Sequence, residues 1–345
     1  MISNSGTLAA PFPWFGGKSG ACQTVWQAFG LVDNYVEPFA GSAAMLLGAP
    51  DGKRVETIND ADGFVANFWR ATAMDADAVA AAADWPCNEA DLFARHSWLV
   101  RQRDGLLERL HADPAFYDAQ IAGWWCWGAC NWIGSGWCAG TGPWVHDGER
   151  ILDVRQLPHL SAGQGINRKL PHLGNSGQGI NRQLPHLGDS GRGGAHPRGA
   201  YIRDWFAALQ ARMRDVRVTC GDWSRVAKDS VTTRHGLTAV FLDPPYTKGA
   251  MDYSAGGVGG ELARDVQAWC AANGENKMLR IVLCGHAGEH DALLQHGWHI
   301  REWTARKGYA LTDEAVANSA SETVWCSPHC VAPVVAQNDL FAEAA

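Results

Sequence analysis

Ala239-Val240-Phe241-Leu242-Asp243-Pro244-Pro245-Tyr246 is an unbroken apolar run that stops at an acid and two prolines. Apolar residues without alternation predict a strand buried on both faces, as in parallel sheets. Pro244 and Pro245 cannot extend the hydrogen-bonded ladder, and they stiffen the turn. Tyr246 then adds a flat ring. An acid, a rigid turn and an aromatic thus follow a buried strand at its carboxyl end, where open α/β sheets place their ligands. Asp-Pro is also a common way to end a strand, so the stretch gains its meaning from what surrounds it.

The same strand-then-loop pattern recurs along the chain. Tyr35-Val36 opens a short strand that runs into Glu37-Pro38-Phe39-Ala40-Gly41-Ser42-Ala43-Ala44, and a helix to Leu47 follows. Val55 to Ile58 is a second strand, ending at Asn59-Asp60; Val216 to Cys220 is a third, ending at Gly221-Asp222-Trp223. Helical spacing covers 21–30, 61–110, 199–215, 261–272 and 289–296. Further strands are expected at Arg280 to Cys284, His299 to Thr304 and Thr323 to Cys326. This alternation predicts an α/β fold with a doubly wound, Rossmann-like sheet. A Gly-rich loop, Pro11-Phe12-Pro13-Trp14-Phe15-Gly16-Gly17-Lys18, precedes the first strand, and another spans Thr247 to Gly260, as in a mobile lid.

With 345 residues, 46% of them hydrophobic, the chain can build a large core. No apolar stretch is long enough to cross a bilayer, and the first residues lack the pattern of a signal peptide. The ten cysteines form no framework, which points to reduced thiols in a cytoplasmic setting, that of a bacterial or phage-infected cell. Cys126, Cys130 and Cys138 match no common zinc spacing, so no metal site is expected. The net charge of −7 argues against a uniformly basic nucleic-acid binder. Between Arg155 and Arg198, however, six Arg or Lys face a single acid, Asp189. Such a segment suits local contact with a polyanion, or simply a solvated loop.

That segment contains a repeat. Leu157-Pro158-His159-Leu160 recurs at 170–173 and 184–187, and Gly165-Ile166-Asn167-Arg168 recurs at 179–182. The period is shorter than usual solenoid units and suggests an extended loop or a recent duplication. Just before it, residues 123–144 hold Trp124, Trp125, Trp127, Asn131, Trp132 and Trp137. Most tryptophans are core residues; an aromatic surface beside nucleic-acid bases is the functional reading.

Trp14-Phe15-Gly16-Gly17-Lys18, Glu37-Pro38-Phe39-Ala40-Gly41, Asn59-Asp60, Gly221-Asp222-Trp223 and Asp243-Pro244-Pro245-Tyr246, in this order, resemble the alpha-class, Dam-type (D12 class) DNA adenine-N6 methyltransferases. The resemblance implies a methyltransferase sheet with an inserted DNA-recognition domain. Residues 1–84 would be the cofactor half, 85–200 the recognition region including the repeat 157–193, 201–328 the catalytic half and 329–345 a tail. It implies S-adenosylmethionine contacts from Trp14, Lys18, Phe39, Gly41, Asp60, Asp222, Trp223 and Asp243. It implies catalysis by Asp243, Pro244, Pro245 and Tyr246: the Asp243 carboxylate and Pro244 carbonyl would accept the adenine amine, and Tyr246 would stack on a flipped-out base. Double-stranded DNA is the expected partner, and a monomer or weak dimer the expected state. Residues 123–144 resemble the family's start of DNA recognition, through Asn131 and Trp132. Composition adds Arg168, Arg182, Arg192 and Arg198 as phosphate contacts, and Asn167 and Asn181 as readers of base edges. Ala43 stands where the family has a second glycine, and the repeat matches no family pattern. Methylation of cytosine N4 or of RNA, and a non-catalytic DNA-binding protein of the same fold, are the alternatives. A dehydrogenase lacks support because the Gly-x-Gly-x-x-Gly fingerprint is absent after the first strand.

Overall fold

A computed structural model describes residues 8–14, 18–132, 137–138, 144–146, 151–153, 198–245, 259–301 and 322–332. The predicted strands form one seven-stranded sheet. Its strands are β1 (Asn34–Glu37), β2 (Val55–Asp60), β5 (Arg217–Cys220), β6 (Thr238–Leu242), β7 (Leu279–His286), β8 (His299–Arg301) and β9 (Glu322–Cys326), in the order β5-β2-β1-β6-β7-β9-β8. From β5 to β7 all neighbours are parallel, whereas β9 runs antiparallel to both β7 and β8. A dinucleotide-binding sheet continues with a sixth parallel strand beside the fifth; here the reversed β9 is wedged in between. A separate hairpin pairs β3 (Trp144–His146) with β4 (Ile151–Asp153) and has no counterpart in the sequence-based expectation.

Alternation along the central strands divides the interior. Ala239, Phe241, Val282, Cys284, Val324 and Cys326 face the larger apolar cluster, while Val240, Leu242, Ile281, Leu283 and Trp325 face the smaller one. The first face is covered by α1 (Cys22–Phe29), α2 (Ala44–Leu47), α3 (Gly63–Met74) and their neighbours. The second is covered by α8 (Gly259–Asn273) and a turn at Asp291–His296. The helix expected over 289–296 is found at Asp291–His296, as a 3-10 helix.

Between β2 and the hairpin the chain builds a helical layer of α3, α4 (Ala76–Ala83), α5 (Glu89–Ala112) and α6 (Ala119–Asn131). Each helix begins behind an acid or amide whose side chain accepts a backbone N–H: Asp62 from Phe64, Asp75 from Ala78, Asn88 from Asp91 and Asp118 from Ile121. Such caps satisfy donors that the first helical turn leaves orphaned. Gly123 lets α6 approach α4 closely, because a Cβ there would lie 2.4 Å from that of Ala82. Leu99, Leu106, Ile121 and Trp125 join the same cluster as Phe64, Phe68 and Val79, so the boundary expected at 84/85 does not separate two cores. α7 (Arg198–Met213) returns to the sheet, where Arg212 forms two bonds to Glu56 of β2 and one to the Leu46 carbonyl of α2. The start of the expected tail is also docked: Cys330 is buried, and the Val331 N–H reaches the Ala28 carbonyl at 2.8 Å. No described helix is long and apolar enough to cross a membrane.

Candidate active site

From β1 the chain moves outward to β2 and β5, then returns to lay β6 on the other side of β1. The strand order therefore reverses between β1 and β6, and at such a switch point the loops beyond the carboxyl ends diverge and leave a crevice. The loop after β1 is Pro38 to Ala43, and the turn after β6 is Asp243-Pro244-Pro245. Lys18 enters from the N-terminal segment, is 4% exposed, and places Nζ 3.3 Å from Oδ2 of Asp243. Two motifs far apart in sequence thus meet at one ion pair.

Gly41 holds the β1 loop in shape. Its φ is +46°, a left-handed conformation that costs other residues about 1–2 kcal/mol. Its N–H donates to Asp60 Oδ2 at 2.9 Å, and its carbonyl accepts from Trp69 Nε1 at 2.9 Å. Trp14 packs on its α-carbon so closely that a Cβ would lie 2.3 Å from Trp14 Nε1. Ala43 also adopts a left-handed φ of 49°, a conformation that glycine takes up more readily.

Asn59 joins three strand ends. Its Nδ2 donates to the carbonyls of Pro38 at 3.0 Å and Gly221 at 2.9 Å, while its Oδ1 accepts from Thr219 Oγ1 at 2.9 Å. Pro38 and Gly221 immediately precede Phe39 and Asp222-Trp223. The Phe39 and Trp223 rings lie stacked, with centroids 6.0 Å apart, and Trp269 of α8 supports Trp223 edge-on. Asp222 is exposed, and its carboxylate accepts from the backbone N–H of Ser224, so it caps the turn that carries Trp223.

Carboxyls outnumber cations at this crevice. Glu37, at the end of β1, is 2% exposed and accepts from the Tyr35 hydroxyl at 3.0 Å. Burial pushes its carboxyl up to about 8; bonds from Tyr35 and the Leu46 backbone oppose the rise, and the charges of Asp243 and Asp60 add to it. Asp60 is pushed up to about 7, by burial and then by the charge of Asp62, against backbone bonds that include the one from Gly41. Each rise reflects the cost of a charge in a poorly solvated place. A cationic ligand would lower both values and be held by them. Sequence motifs contain Glu37, Asn59 and Trp69 or lie near them, yet assign them no role; the partners of Asn59 and Trp69 meet only on folding, and the burial of Glu37 arises only then too.

The structure therefore brings together Trp14, Lys18, Phe39, Gly41, Asp60, Asp222, Trp223, Asp243, Pro244 and Pro245 at or around the carboxyl ends of the strands. It does not do so for the expected DNA contacts in α6. Asn131 is fully buried and its Nδ2 bonds the Trp127 carbonyl; Trp132 is 7% exposed and stacks on His96 at 4.7 Å. Both belong to packing, which corrects their assignment to a DNA-facing surface: a helix rich in tryptophan buries its rings where neighbouring helices can cover them. Tyr246, Asn167, Arg168, Asn181, Arg182 and Arg192 lie outside the described residues, as does the side chain of Arg198. Cys126, Cys130 and Cys138 are free and buried, and no cluster of metal ligands occurs among the described residues. Compared with protein families and with curated proteins, the chain matches none.

Proposed function

We propose that the chain is an S-adenosylmethionine-dependent DNA amino-methyltransferase that modifies adenine N6 of a base flipped out of the duplex. The observation that carries this reading is the Lys18–Asp243 pair at the switch point, with Pro244 and Pro245 fixing the turn behind it. The donor set fits the cofactor. Three carboxyls, Glu37, Asp60 and Asp243, end β1, β2 and β6 or follow them, and one lysine pairs with Asp243, which suits a ligand bearing a sulfonium and an ammonium group. The Phe39 and Trp223 rings give a flat wall suited to a purine. When bound, the cofactor supplies a methyl group on positively charged sulfur.

The chain's own residues would do the rest. An exocyclic amine is a weak nucleophile because its lone pair is delocalised into the ring. Asp243 and the Pro244 carbonyl accept its two N–H groups and turn the lone pair toward the methyl. Lys18 fixes one oxygen of Asp243, so the acceptor is oriented before the base arrives. Preorganised acceptors of this kind stabilise the charge that develops on nitrogen, and in-line placement supplies much of the remaining acceleration. Aspartate ahead of Pro-Pro favours adenine over cytosine as the target.

The test uses the full chain. Calorimetric titration with S-adenosylmethionine should give saturable binding. Incubation with plasmid DNA, followed by mass spectrometry of the nucleosides, should give N6-methyldeoxyadenosine. Absence of cofactor binding would overturn the reading, and N4-methyldeoxycytidine would move the target to cytosine.

A further inference from the structure

A second site lies at the free edge of the sheet, away from the Lys18–Asp243 pair. A cavity of about 250 Å³ opens beside β5, between α3, α5 and the turn at 223–225. Ala66, Leu110 and Val218 give it an apolar floor, and Arg70, His111 and Arg225 stand around it. Two helices and a turn thus deliver three basic side chains to one hollow in a chain whose net charge is −7.

These side chains are held by carbonyls, not by acids. Arg225 Nη1 and His111 Nε2 both bond the Cys220 carbonyl, at 2.7 and 3.2 Å. Arg70 bonds the carbonyls of Asp113 and Pro114 through Nη2. No described carboxylate forms an ion pair with Arg70, Arg225 or His111. The charges of Asp60 and Asp62 also act on Cys220, ahead of that of Arg225, without forming an ion pair with these side chains. A guanidinium carries five N–H donors in a fork, and each arginine here uses a single nitrogen. Backbone carbonyls orient such a fork without neutralising its charge. An anion with several oxygens is the ligand that satisfies both requirements, since arginine binds phosphate and carboxylate through paired bonds.

The lining contains no Phe, Tyr or Trp, and its one aromatic ring is the small imidazole of His111. The volume lies below that of ordinary drug-sized pockets, yet far above the share of one water. A compact tetrahedral anion with its first waters matches that size. We propose that this cavity is a phosphate-binding site in which Arg70, Arg225 and His111 grip the phosphate group. The site does not depend on the methyltransferase reading, and its ligand is either a free phosphate or a phosphate of a nucleic-acid backbone.

The test measures the melting temperature of the full chain in inorganic phosphate at constant ionic strength, against chloride. Duplex affinity is measured as a function of salt in parallel. The variants are Arg225→Gln, Arg70→Gln and the charge-preserving Arg225→Lys. Phosphate should stabilise the wild type saturably, Arg225→Gln should weaken that binding at least tenfold, and Arg225→Lys should retain part of it. If the source is a nucleic-acid backbone, the slope of log affinity against log salt should also fall by about one per arginine removed. An unchanged slope with lost phosphate binding assigns the site to free phosphate. A wild type that phosphate does not stabilise, together with an unchanged slope, overturns the proposal. So does a Gln variant that melts lower yet keeps the full phosphate effect, because the arginines would then serve only the fold. Neither readout involves S-adenosylmethionine, so failure here leaves the methyltransferase reading untouched, and the converse holds.

Discussion

The crevice beyond β1 and β6 and the helical layer of α5 and α6 use similar residues for opposite ends. In the crevice, Trp14 and Trp223 border a polar site, and Lys18 meets an acid that is 21% exposed. In the helical layer, Arg95 is 6% exposed and lies against Trp85, Trp124 and Trp127, with its guanidinium 4.4–4.9 Å from each ring centroid. One cation is paired with a carboxylate where a ligand can reach it; the other is enclosed by rings, and its Nη1 has no hydrogen-bond partner. Burial lowers the pKa of Arg95, with the charge of Asp91 opposing. Tryptophan and a cation therefore mark a site only where the backbone ends a strand; on a helix interior they make a core.

The largest effect should separate these regions outright. Asp243→Ala should lower methyl transfer by about 10²–10³-fold or more, as loss of a preorganised transition-state contact does, while the chain stays folded. Turnover like that of the wild type would remove the crevice from the chemistry. Lys18→Met should act in the same direction. It should also cost stability, though less than the roughly 3–5 kcal/mol of a fully buried pair, because solvent reaches Asp243. Arg95→Ala should behave the other way round. It removes three cation–ring contacts and a packed stem, and should cost about 2–4 kcal/mol. Methyl transfer below the melting transition should be unchanged, and Arg95→Met should recover much of the stability. A loss of activity in Arg95→Ala without a loss of stability would mean that the helical layer takes part in the site.

What could be read from the sequence follows the same division. The strands at 34–37, 55–60, 217–220 and 238–242 were legible because glycine, proline and acids punctuate a chain locally. Gly41 needs its positive φ, and Pro244 and Pro245 end a ladder, whatever surrounds them. Asn131 and Trp132 were not legible as core residues, because Trp132 packs on His96 and Phe93, which only folding brings near. Asn59 stood inside a recognised motif without a role, since the bonds that define it join Pro38, Gly221 and Thr219 once the strands are in register, and Glu37 did so because its burial and the charges of Asp60 and Asp243 come from other strands. The β5 cavity draws on α3, α5, β5 and the turn at 223–225, and no local pattern links them.

Asn59 tests whether the crevice is preformed. Asn59→Ala leaves the Pro38 and Gly221 carbonyls without their shared donor, a loss of about 1–3 kcal/mol. If that donor sets the spacing of Phe39 and Trp223, affinity for S-adenosylmethionine should fall by about tenfold, with KM affected more than kcat. Thr219→Val, which removes the hydroxyl shared between the Asn59 amide oxygen and the Ile58 carbonyl but keeps the Asn59 donor, should have a smaller effect in the same direction. A lower melting temperature with unchanged cofactor affinity would place Asn59 with the helical layer, as a residue of the fold alone.

The smallest effect concerns protons, and it reaches the reason for the crevice's acidity. Glu37 rises from 4.5 to about 8 on folding, and Asp60 from 3.8 to about 7. Between those values the folded chain holds protons that the unfolded chain has released, so stability falls as pH rises. The contribution is complete below about pH 4 and is lost through pH 7 to 8, at no more than about 1.4 kcal/mol per pH unit for each group. Glu37→Gln keeps an acceptor for the Tyr35 hydroxyl and removes the titration. Its melting temperature should match that of the wild type near pH 5 and exceed it at pH 8. A cationic cofactor should favour the ionised acids, so binding at pH 7 should release protons, seen as a dependence of the calorimetric heat on the buffer's ionisation enthalpy. Glu37→Gln should reduce that release. Equal melting differences at both pH values would show that Glu37 is ionised throughout. The crevice would then hold its acids by pairing, as it holds Asp243, and not by keeping one of them protonated until a cation arrives.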